Sequence, residues 1–376
     1  MEQCPAKDTK KLGFGLMRLP EKDGKIDIDE TKAMVDLFME AGFTYFDTAW
    51  VYTGSEEAIR KALVERYPRE SYTLATKMAA WARCENREDA LKQFEDSLER
   101  TGAGYFDYYL LHNLGEGRTG LYEDYGLWEF ALQKKAEGNI KHVGFSFHAG
   151  AEELDSVLTK HPEAEFVQLQ INYADWDDPN IQSRLCYEVA RKHGKPVVVM
   201  EPVKGGLLAA PPEPVSRVFK DADSEASCAS WAIRFAASLD GVMAVLSGMS
   251  STEQMKDNIS FMKDFRPLDE KEKETVAGAV KALSEISLIP CTSCGYCTKV
   301  CPMDIGIPAT FSALNMYKKF GNRDRAVRNE RFNVARAKKG RAHECIKCGA
   351  CEDACPQHIQ IRERLEEASE VLKTGE

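Results

Sequence analysis

The chain has 376 residues, of which 43% are hydrophobic and 29% charged, and its formal net charge is −10. This length suits a large domain plus a smaller one, and the acidic balance argues against nucleic acid as a partner. The sequence contains no apolar run of about eighteen residues and no N-terminal stretch of signal-peptide type. We therefore expect a cytoplasmic protein without a membrane span.

The first 265 residues alternate apolar, strand-like runs with amphipathic, helix-like stretches such as 55–67. Several of the runs, for example 197–200, are apolar on both faces, which is typical of a buried parallel sheet. The strands are predicted at 12–17, 44–47, 72–77, 105–112, 142–146, 166–172, 196–202 and 241–248. Eight strand–helix units of this total length predict an α/β fold, a (β/α)8 TIM barrel over residues 1–265.

Four polar residues lie at or just beyond the predicted ends of strands two to four, where barrel enzymes place their chemistry. They are Asp47, Tyr52, Lys77 and His112. In order and spacing they resemble the catalytic tetrad of the aldo–keto reductases, and the opening segment 12–20 resembles the first barrel strand of that family. The resemblance covers roughly residues 10–265 and implies reduction of a carbonyl or oxidation of an alcohol.

The resemblance also implies a role for each member of the tetrad. Tyr52 would donate a proton to the substrate oxygen, Asp47 would hold Lys77, and His112 would donate a hydrogen bond to the carbonyl. A tyrosine has a reference pKa of about 10, and a neighbouring ammonium stabilises its phenolate. We therefore expect Lys77 to lower the pKa of Tyr52.

Contacts to a nicotinamide nucleotide, NAD(H) or NADP(H), follow from the same resemblance. They are predicted at Gly15, Met17, Ser146, Gln170, Met200, Gly205, Gly206, Ser247, Gly248, Gln254 and Asn258. Where NADP-binding members carry a lysine and an arginine for the 2′-phosphate, this chain has Gly248 and Gln254. A strong preference for NADPH is therefore not expected, although Lys204 or Lys256 could substitute.

Eight of the twelve cysteines form two copies of the pattern C-x2-C-x2-C-x3-C-P, which holds [4Fe–4S] clusters in bacterial-type ferredoxins. The first three thiolates of a run are ligands of one cluster, and the fourth is a ligand of the other cluster. The predicted ligand sets are Cys291, Cys294, Cys297 and Cys355 for one cluster, and Cys345, Cys348, Cys351 and Cys301 for the other. Paired C-x2-C motifs also bind zinc, but zinc chemistry requires neither the third close cysteine nor the repeated proline.

A linker helix is predicted over 266–289, and a small, mainly helical ferredoxin-like domain over 290–376. The two cysteine runs are far apart for a compact ferredoxin, and the segment 308–339 between them is predicted to be helical. Residues 317–341 carry ten basic and two acidic side chains. This segment is either a solvated helical face or a docking face for an acidic redox partner such as ferredoxin or flavodoxin.

The two halves together resemble the iron–sulfur branch of the aldo–keto reductases, and three functions stay open. The chain could couple a carbonyl or alcohol substrate to ferredoxin-type electrons through its clusters. It could be a nicotinamide-dependent reductase whose clusters are structural or regulatory. It could be a non-catalytic redox sensor or electron-transfer subunit. A flavin, the usual adaptor between hydride and single electrons, is left open as a further cofactor.

Overall fold

The structure is a computed structural model that describes residues 10–115 and 117–373. Within these ranges, eight of ten strands close into a parallel barrel in the order β1-β10-β9-β8-β7-β6-β5-β4. The strands are β1 Leu12–Gly15, β2 Glu21–Lys22, β3 Lys25–Ile26, β4 Tyr45–Asp47, β5 Thr73–Met78, β6 Phe106–Leu114, β7 Ile140–Phe147, β8 Phe166–Gln170, β9 Val197–Met200 and β10 Val242–Ser247. The predicted (β/α)8 barrel is confirmed.

Alternation along the strands fills the barrel and then changes character at its mouth. Successive side chains of a strand point to opposite faces. The buried interior cluster consists of Tyr45, Ala75, Tyr108, Leu110, Phe166, Val198, Met243, Ala244 and Leu246. Two residues further along five of these strands, the same face carries Asp47, Lys77, His112, Gln168 and Met200. The carboxyl-terminal mouth is therefore lined mainly by polar side chains, which lie above an apolar layer.

Helices pack around the barrel and continue into the C-terminal half. The first ten are α1 Ile28–Glu40, α2 Ser55–Ile59, α3 Arg87–Thr101, α4 Thr119–Asp124, α5 Leu127–Ala136, α6 Ala151–Lys160, α7 Ser183–Lys192, α8 Glu213–Ala222, α9 Cys228–Ala237 and α10 Thr252–Met262. The predicted helix 55–67 is α2 followed by a π-helical turn, Arg60–Val64. The short helix α4, helix α8 and the β2–β3 hairpin were not predicted. Asp23 and Gly24 form the hairpin turn with positive φ, and this dipeptide is a sequence signal for such a turn.

The chain divides into two compact units. The barrel unit comprises residues up to Ala209 and Glu225–Val276, and the C-terminal unit comprises Ala210–Ser224 and the residues from Ala277 onward. The remaining helices are α11 Glu270–Ser284, α12 Tyr296–Lys299, α13 Ile307–Phe320, α14 Arg323–Arg336, α15 Ala350–Asp353 and α16 Ile361–Val371. None of the helices in the described parts of the chain is both long and apolar enough to cross a membrane.

The segment predicted as one helical stretch, 308–339, is two helices. Gly321 ends α13 with a φ of 68°, and the side chain of Asn322 accepts a hydrogen bond from the amide of Arg325 to begin α14. Buried Phe311, Leu314 and Ala326 from these helices pack with the cysteine loops in a separate apolar core. The cysteine-bearing segments therefore rest on a small helical core of their own.

Candidate active site and cysteine-lined cavities

Asp47 and Lys77 form a buried ion pair at the mouth of the barrel. Nζ of Lys77 lies 2.5 Å from Oδ1 of Asp47 and donates a second hydrogen bond to the carbonyl of Thr48 at 2.6 Å. The register of β4 and β5 sets Asp47 opposite Ala75, one inward position before Lys77. Oδ2 of Asp47 is buried and has no hydrogen-bond partner among the described residues.

Tyr52 and His112 complete the cluster of four predicted side chains. The Tyr52 ring centroid lies 5.1 Å from Nζ of Lys77 and 5.9 Å from the centroid of the His112 imidazole, which it meets edge-on. Trp81 packs against His112 with 6.0 Å between ring centroids and donates its indole N–H to the His112 carbonyl at 3.0 Å. The structure therefore brings all four residues together beside a partly exposed indole.

Burial dominates the protonation of these groups. It lowers the pKa of Lys77 and raises the pKa of Asp47, although their contact opposes both shifts. Burial, reinforced by the Lys77 ammonium, holds the pKa of His112 well below its usual range, so the imidazole is neutral. Burial and the Asp47 carboxylate also raise the pKa of Tyr52. The pKa of Tyr52 therefore shifts upward, opposite to the expected lowering, and burial is the largest cause.

Gln168 is a site residue that the sequence prediction missed. It lies opposite Ser146 in the register of β7 and β8, and both side chains are buried. The Gln168 amide donates to the sulfur of Met200 at 3.4 Å, while its Oε1 has no partner within the described residues. Such an orphaned acceptor fits an amide donor of a ligand, as a nicotinamide ring carries. Strict alternation from Phe166 would have selected Gln168 as an inward residue.

Gln170, the residue that was predicted instead, is held by Asp175. Nε2 of Gln170 donates to Oδ2 of Asp175 at 2.9 Å, and Lys204 forms an ion pair with the other oxygen. Burial by itself raises the pKa of Asp175, but Lys204 and the amide donors outweigh it and lower that pKa. The Lys204 ammonium is therefore already paired with Asp175. Gly205 and Gly206 follow it in a turn with φ of 61° and 94°.

The predicted phosphate-end residues of β10 and α10 are tied to one another. Nδ2 of Asn258 donates to Oγ of Ser247 at 2.6 Å. The side-chain carbonyl of Gln254 accepts from the amide of Ser250 at 2.8 Å and so helps to begin α10. Lys256, two residues after Gln254, is a cationic side chain and is exposed. No cationic side chain stands at position 254 itself.

The remaining predicted contacts lie where β1 and β10 end. A Cβ on Gly15 would lie 3.5 Å from the Ser247 carbonyl, an ordinary van der Waals contact with the end of β10. Gly248 follows β10 at the same edge, and Met17 is 60% exposed. Arg18 and Glu201 form an ion pair at 3.2 Å that joins the segments after β1 and β9.

Two cavities in the C-terminal unit are each lined by four cysteines. The first is lined by Cys291, Cys294, Cys297 and Cys355. The second is lined by Cys301, Cys345, Cys348 and Cys351. Each cavity takes three cysteines from one motif and the fourth from the other. This grouping corresponds to the predicted ligand sets, whose role as ligands stays a prediction.

The two cavities differ in what surrounds the sulfurs. Ile307, Phe311 and Ile359 give the first cavity an apolar wall, while the second is also lined by Arg362, which pairs with Glu352. Burial raises the pKa of the Cys297 thiol, and burial together with Glu352 raises the pKa of Cys351 to about 11. Metal binding would displace these protons. Four sulfur donors around an apolar-walled space fit an iron–sulfur cluster.

A (β/α)8 barrel with an Asp–Lys ion pair, a tyrosine and a histidine at its mouth is the architecture of a carbonyl-handling oxidoreductase. Residues 11–281 match the model of the Aldo/keto reductase family, and the chain belongs to this family. Residues 290–359 match a 4Fe-4S dicluster domain. The chain therefore joins an aldo–keto reductase barrel to a C-terminal iron–sulfur domain.

Relatives with known activities are similar to the barrel half. L-Galactose dehydrogenase of Arabidopsis thaliana is 28% identical over 297 residues, which are 73% of this chain and 90% of the relative. The 9,11-endoperoxide prostaglandin H2 reductase of Trypanosoma cruzi is 28% identical over 201 residues, 52% of this chain and 62% of that protein. These relatives are oxidoreductases, as this chain is.

Solved structures agree on the fold. An aldo-keto reductase from Klebsiella pneumoniae in complex with NADPH superposes with a TM-score of 0.57 at 20% identity, over 71% of this chain and 90% of that chain. The holo form of an aldo-keto reductase from Bacillus halodurans gives 0.56 at 23% identity, over 72% and 92%.

Proposed function

We propose that this chain interconverts a carbonyl and an alcohol in its barrel and exchanges single electrons with that reaction through two [4Fe–4S] clusters. The observation that carries the proposal is the union, in one chain, of the Asp47–Lys77–Tyr52–His112 cluster with two cavities of four cysteines each. The reduction of a carbonyl consumes two electrons and two protons. Two clusters that each release one electron supply the electron count.

Tyr52 is the proton donor of the proposed reaction. Its raised pKa keeps the hydroxyl protonated, so it arrives at the substrate oxygen as an acid rather than as a phenolate. The neutral His112 imidazole can donate a hydrogen bond to the same oxygen, which polarises the carbonyl. Lys77, fixed by Asp47 and the Thr48 carbonyl, stabilises the negative charge that develops when the proton leaves Tyr52.

A nicotinamide nucleotide, when bound, supplies or accepts the hydride. Gln168 and Ser146 are the side chains that suit its carboxamide, because both are buried on adjacent strands and the Gln168 carbonyl oxygen lacks a partner among the described residues. Gln254 offers an uncharged amide at the position for the adenosine 2′-phosphate. We therefore propose that NADH serves at least as well as NADPH.

The proposed cluster ligands are the eight cysteines that line the two cavities. Cys301 and Cys355 tie the two cysteine loops to each other, because each lies in the cavity of the opposite motif. Thiolates must stay reduced until iron arrives, which favours a cytoplasmic location. A hydride cannot divide between one-electron acceptors without an adaptor, so a flavin in the barrel mouth stays part of the proposal.

The test begins with protein purified without oxygen, whose visible spectrum reports clusters and any flavin. The clusters are then reduced chemically, and a panel of aldehydes and ketones is added in the absence of nucleotide. Reoxidation of the clusters with formation of alcohol supports the proposal. Turnover with NADH or NADPH that leaves the clusters unchanged would favour a nicotinamide reductase with structural clusters, and no turnover at all would favour a redox sensor.

A further inference from the structure

Helix α14 presents an arginine-rich face with an exposed phenyl ring at its centre. Arg328, Phe332 and Arg336 are spaced by four residues, so they lie on one face of the helix. Phe332 is 65% exposed, and both arginines are exposed. Phe332 is not part of the apolar core of its own unit. We call these three residues the basic face.

Asp324 stands four residues before Arg328 on α14 but forms no ion pair with it in the described part of the chain. Glu330 is buried and forms an ion pair with Arg341 at 3.0 Å, so it points away from the face. Arg328 and Arg336 have no ion pair or hydrogen bond to any other side chain in the described parts of the chain. Their charges are therefore available to a partner.

The chain that leaves α14 leads directly to the second cysteine cavity. Gly340 pairs with Ile305 in a short bridge, and the amide of Gly306 donates to the Gly340 carbonyl at 3.0 Å. Ile305 lines the cavity, and so do two exposed apolar residues, Met303 at 36% and Ile346 at 60%. We call Met303 and Ile346 the cavity lip. The corresponding loop of the first cavity carries the polar pair 292–293 instead.

We infer that the basic face and the cavity lip together bind a small, acidic, single-electron carrier protein. The inference rests on the proposed electron-transfer function and adds the place where electrons enter or leave. Arginine and aromatic residues are enriched at protein interfaces, and complementary charge steers the encounter. A standard interface covers about 800 Å² per partner, which is wide enough to span a helix and the adjoining loop. The apolar lip lets the partner approach the second cavity closely.

The inference is tested with purified, acidic [4Fe–4S] ferredoxin and the full-length protein carrying its clusters. The double variant Arg328→Glu/Arg336→Glu should weaken ferredoxin binding by about tenfold or more at low ionic strength and flatten its salt dependence. Phe332→Ala should weaken binding at both low and physiological ionic strength, because it removes an aromatic anchor. Titration calorimetry measures both effects.

Lys263→Glu is the control. Lys263 is exposed and belongs to the barrel unit. Its substitution changes the net charge by the same amount as each arginine substitution. It should leave binding almost unchanged. Reduction of the clusters by dithionite should be equal in all variants, which shows that the clusters are intact. Ferredoxin binding that the double variant retains in full would overturn the inference, as would a wild type that binds RNA but no ferredoxin. Failure of reduced clusters to convert any carbonyl refutes the proposed function instead, and leaves the binding result standing.

Discussion

In the barrel, the register of two strands brings Asp47 and Lys77 to hydrogen-bonding distance, and each arrives from the interior face of its own strand. In the C-terminal unit, eight cysteines reach their cavities from loops and very short helices, such as α12 and α15. Backbone hydrogen bonds of a closed sheet fix the first site. The second site depends on a small apolar core and on the proposed iron–sulfur cluster that would join the four sulfurs of each cavity.

This contrast teaches that the two sites should respond differently to the loss of one side chain. Removing a barrel residue should change the chemistry while the sheet persists. Removing a cysteine should dismantle the unit around it, because metal binding free energy is folding free energy in small metal domains. All five tryptophans, Trp50, Trp81, Trp128, Trp176 and Trp231, belong to the barrel unit. The unfolding transition followed by tryptophan fluorescence therefore reports on the barrel alone.

The largest effect is expected for Cys351→Ser, which removes a sulfur from the second cavity. Wild-type protein purified without oxygen should hold about eight irons and eight acid-labile sulfides, and the variant about four or fewer. The fluorescence transition of the barrel should stay unchanged. Cys186→Ser, a buried cysteine of the barrel unit, should keep all the iron. Stoichiometric zinc in place of iron in the wild type would contradict both the cluster assignment and the comparison.

The next effect in size is expected for Tyr52→Phe, which keeps the ring and removes the acid. The rate of carbonyl reduction should fall by about 10²- to 10⁴-fold. Nucleotide affinity and the barrel's unfolding transition should hardly change, because the main chain of Tyr52 supplies the turn contacts. Tyr187→Phe, whose hydroxyl bonds the Asp240 carbonyl elsewhere, is the matched control. Undiminished reduction by the Tyr52 variant would remove the tyrosine from the mechanism.

Much of this architecture could be predicted from the sequence because its signals are local. Apolar runs such as 197–200 announce buried parallel strands, and their ends mark the barrel mouth, so Asp47, Lys77 and His112 could be found by position. The cysteine spacing is a covalent pattern and needs no tertiary information. The break at Gly321 was missed because glycine inside a polar, helix-favouring segment is a weak signal until the αL conformation is seen.

The rest depended on contacts between residues far apart in the chain. Gln168 and Gln170 lie on the same face of β8 and differ in depth, and only their contacts with Met200 and Asp175 distinguish them. The upward direction of the Tyr52 pKa shift is set first by burial, and burial cannot be read from the sequence. The ion pair between Lys204 and Asp175 also cannot be read from the sequence. Because of this ion pair, Lys204 is a weaker candidate for binding the 2′-phosphate.

A smaller effect is expected for Gln254→Arg, which adds a charge at the predicted 2′-phosphate end of the barrel site. The wild type should bind NADH about as well as NADPH. The variant should gain about tenfold or more for NADPH, because a charge-assisted hydrogen bond is worth about 1.5–3 kcal/mol. Gln254→Met is the control, since it also loses the contact to Ser250 but adds no charge. Titration of both nucleotides against the three proteins decides the matter. A wild-type preference for NADPH above tenfold would mean that another cation, such as Lys256, holds the phosphate.

The smallest effect is expected at Glu165, which directly precedes β8 and lies far from the barrel mouth. This prediction compares how low pH affects the barrel unit and the C-terminal unit. Burial alone would raise the pKa of Glu165, but hydrogen bonds from His142, Lys135 and the amide of Val143 outweigh it and lower the pKa to about 2. A carboxyl with a depressed pKa stabilises the fold above its unfolded pKa of about 4.3, and that stabilisation is lost as the pH falls from there toward 2.

Glu165→Gln should therefore lower the free energy of unfolding of the barrel by about 1–3 kcal/mol at neutral pH and by much less near pH 2. Urea unfolding followed by tryptophan fluorescence at both pH values measures the difference. Glu137→Gln, on the exposed end of α5, is the control and should change little. Cluster absorbance recorded in parallel should fall over a pH range that is the same in both variants, because protonation of the predicted cysteine ligands does not depend on Glu165. A variant whose destabilisation is as large at pH 2 as at pH 7 would show that Glu165 acts through packing and not through its charge.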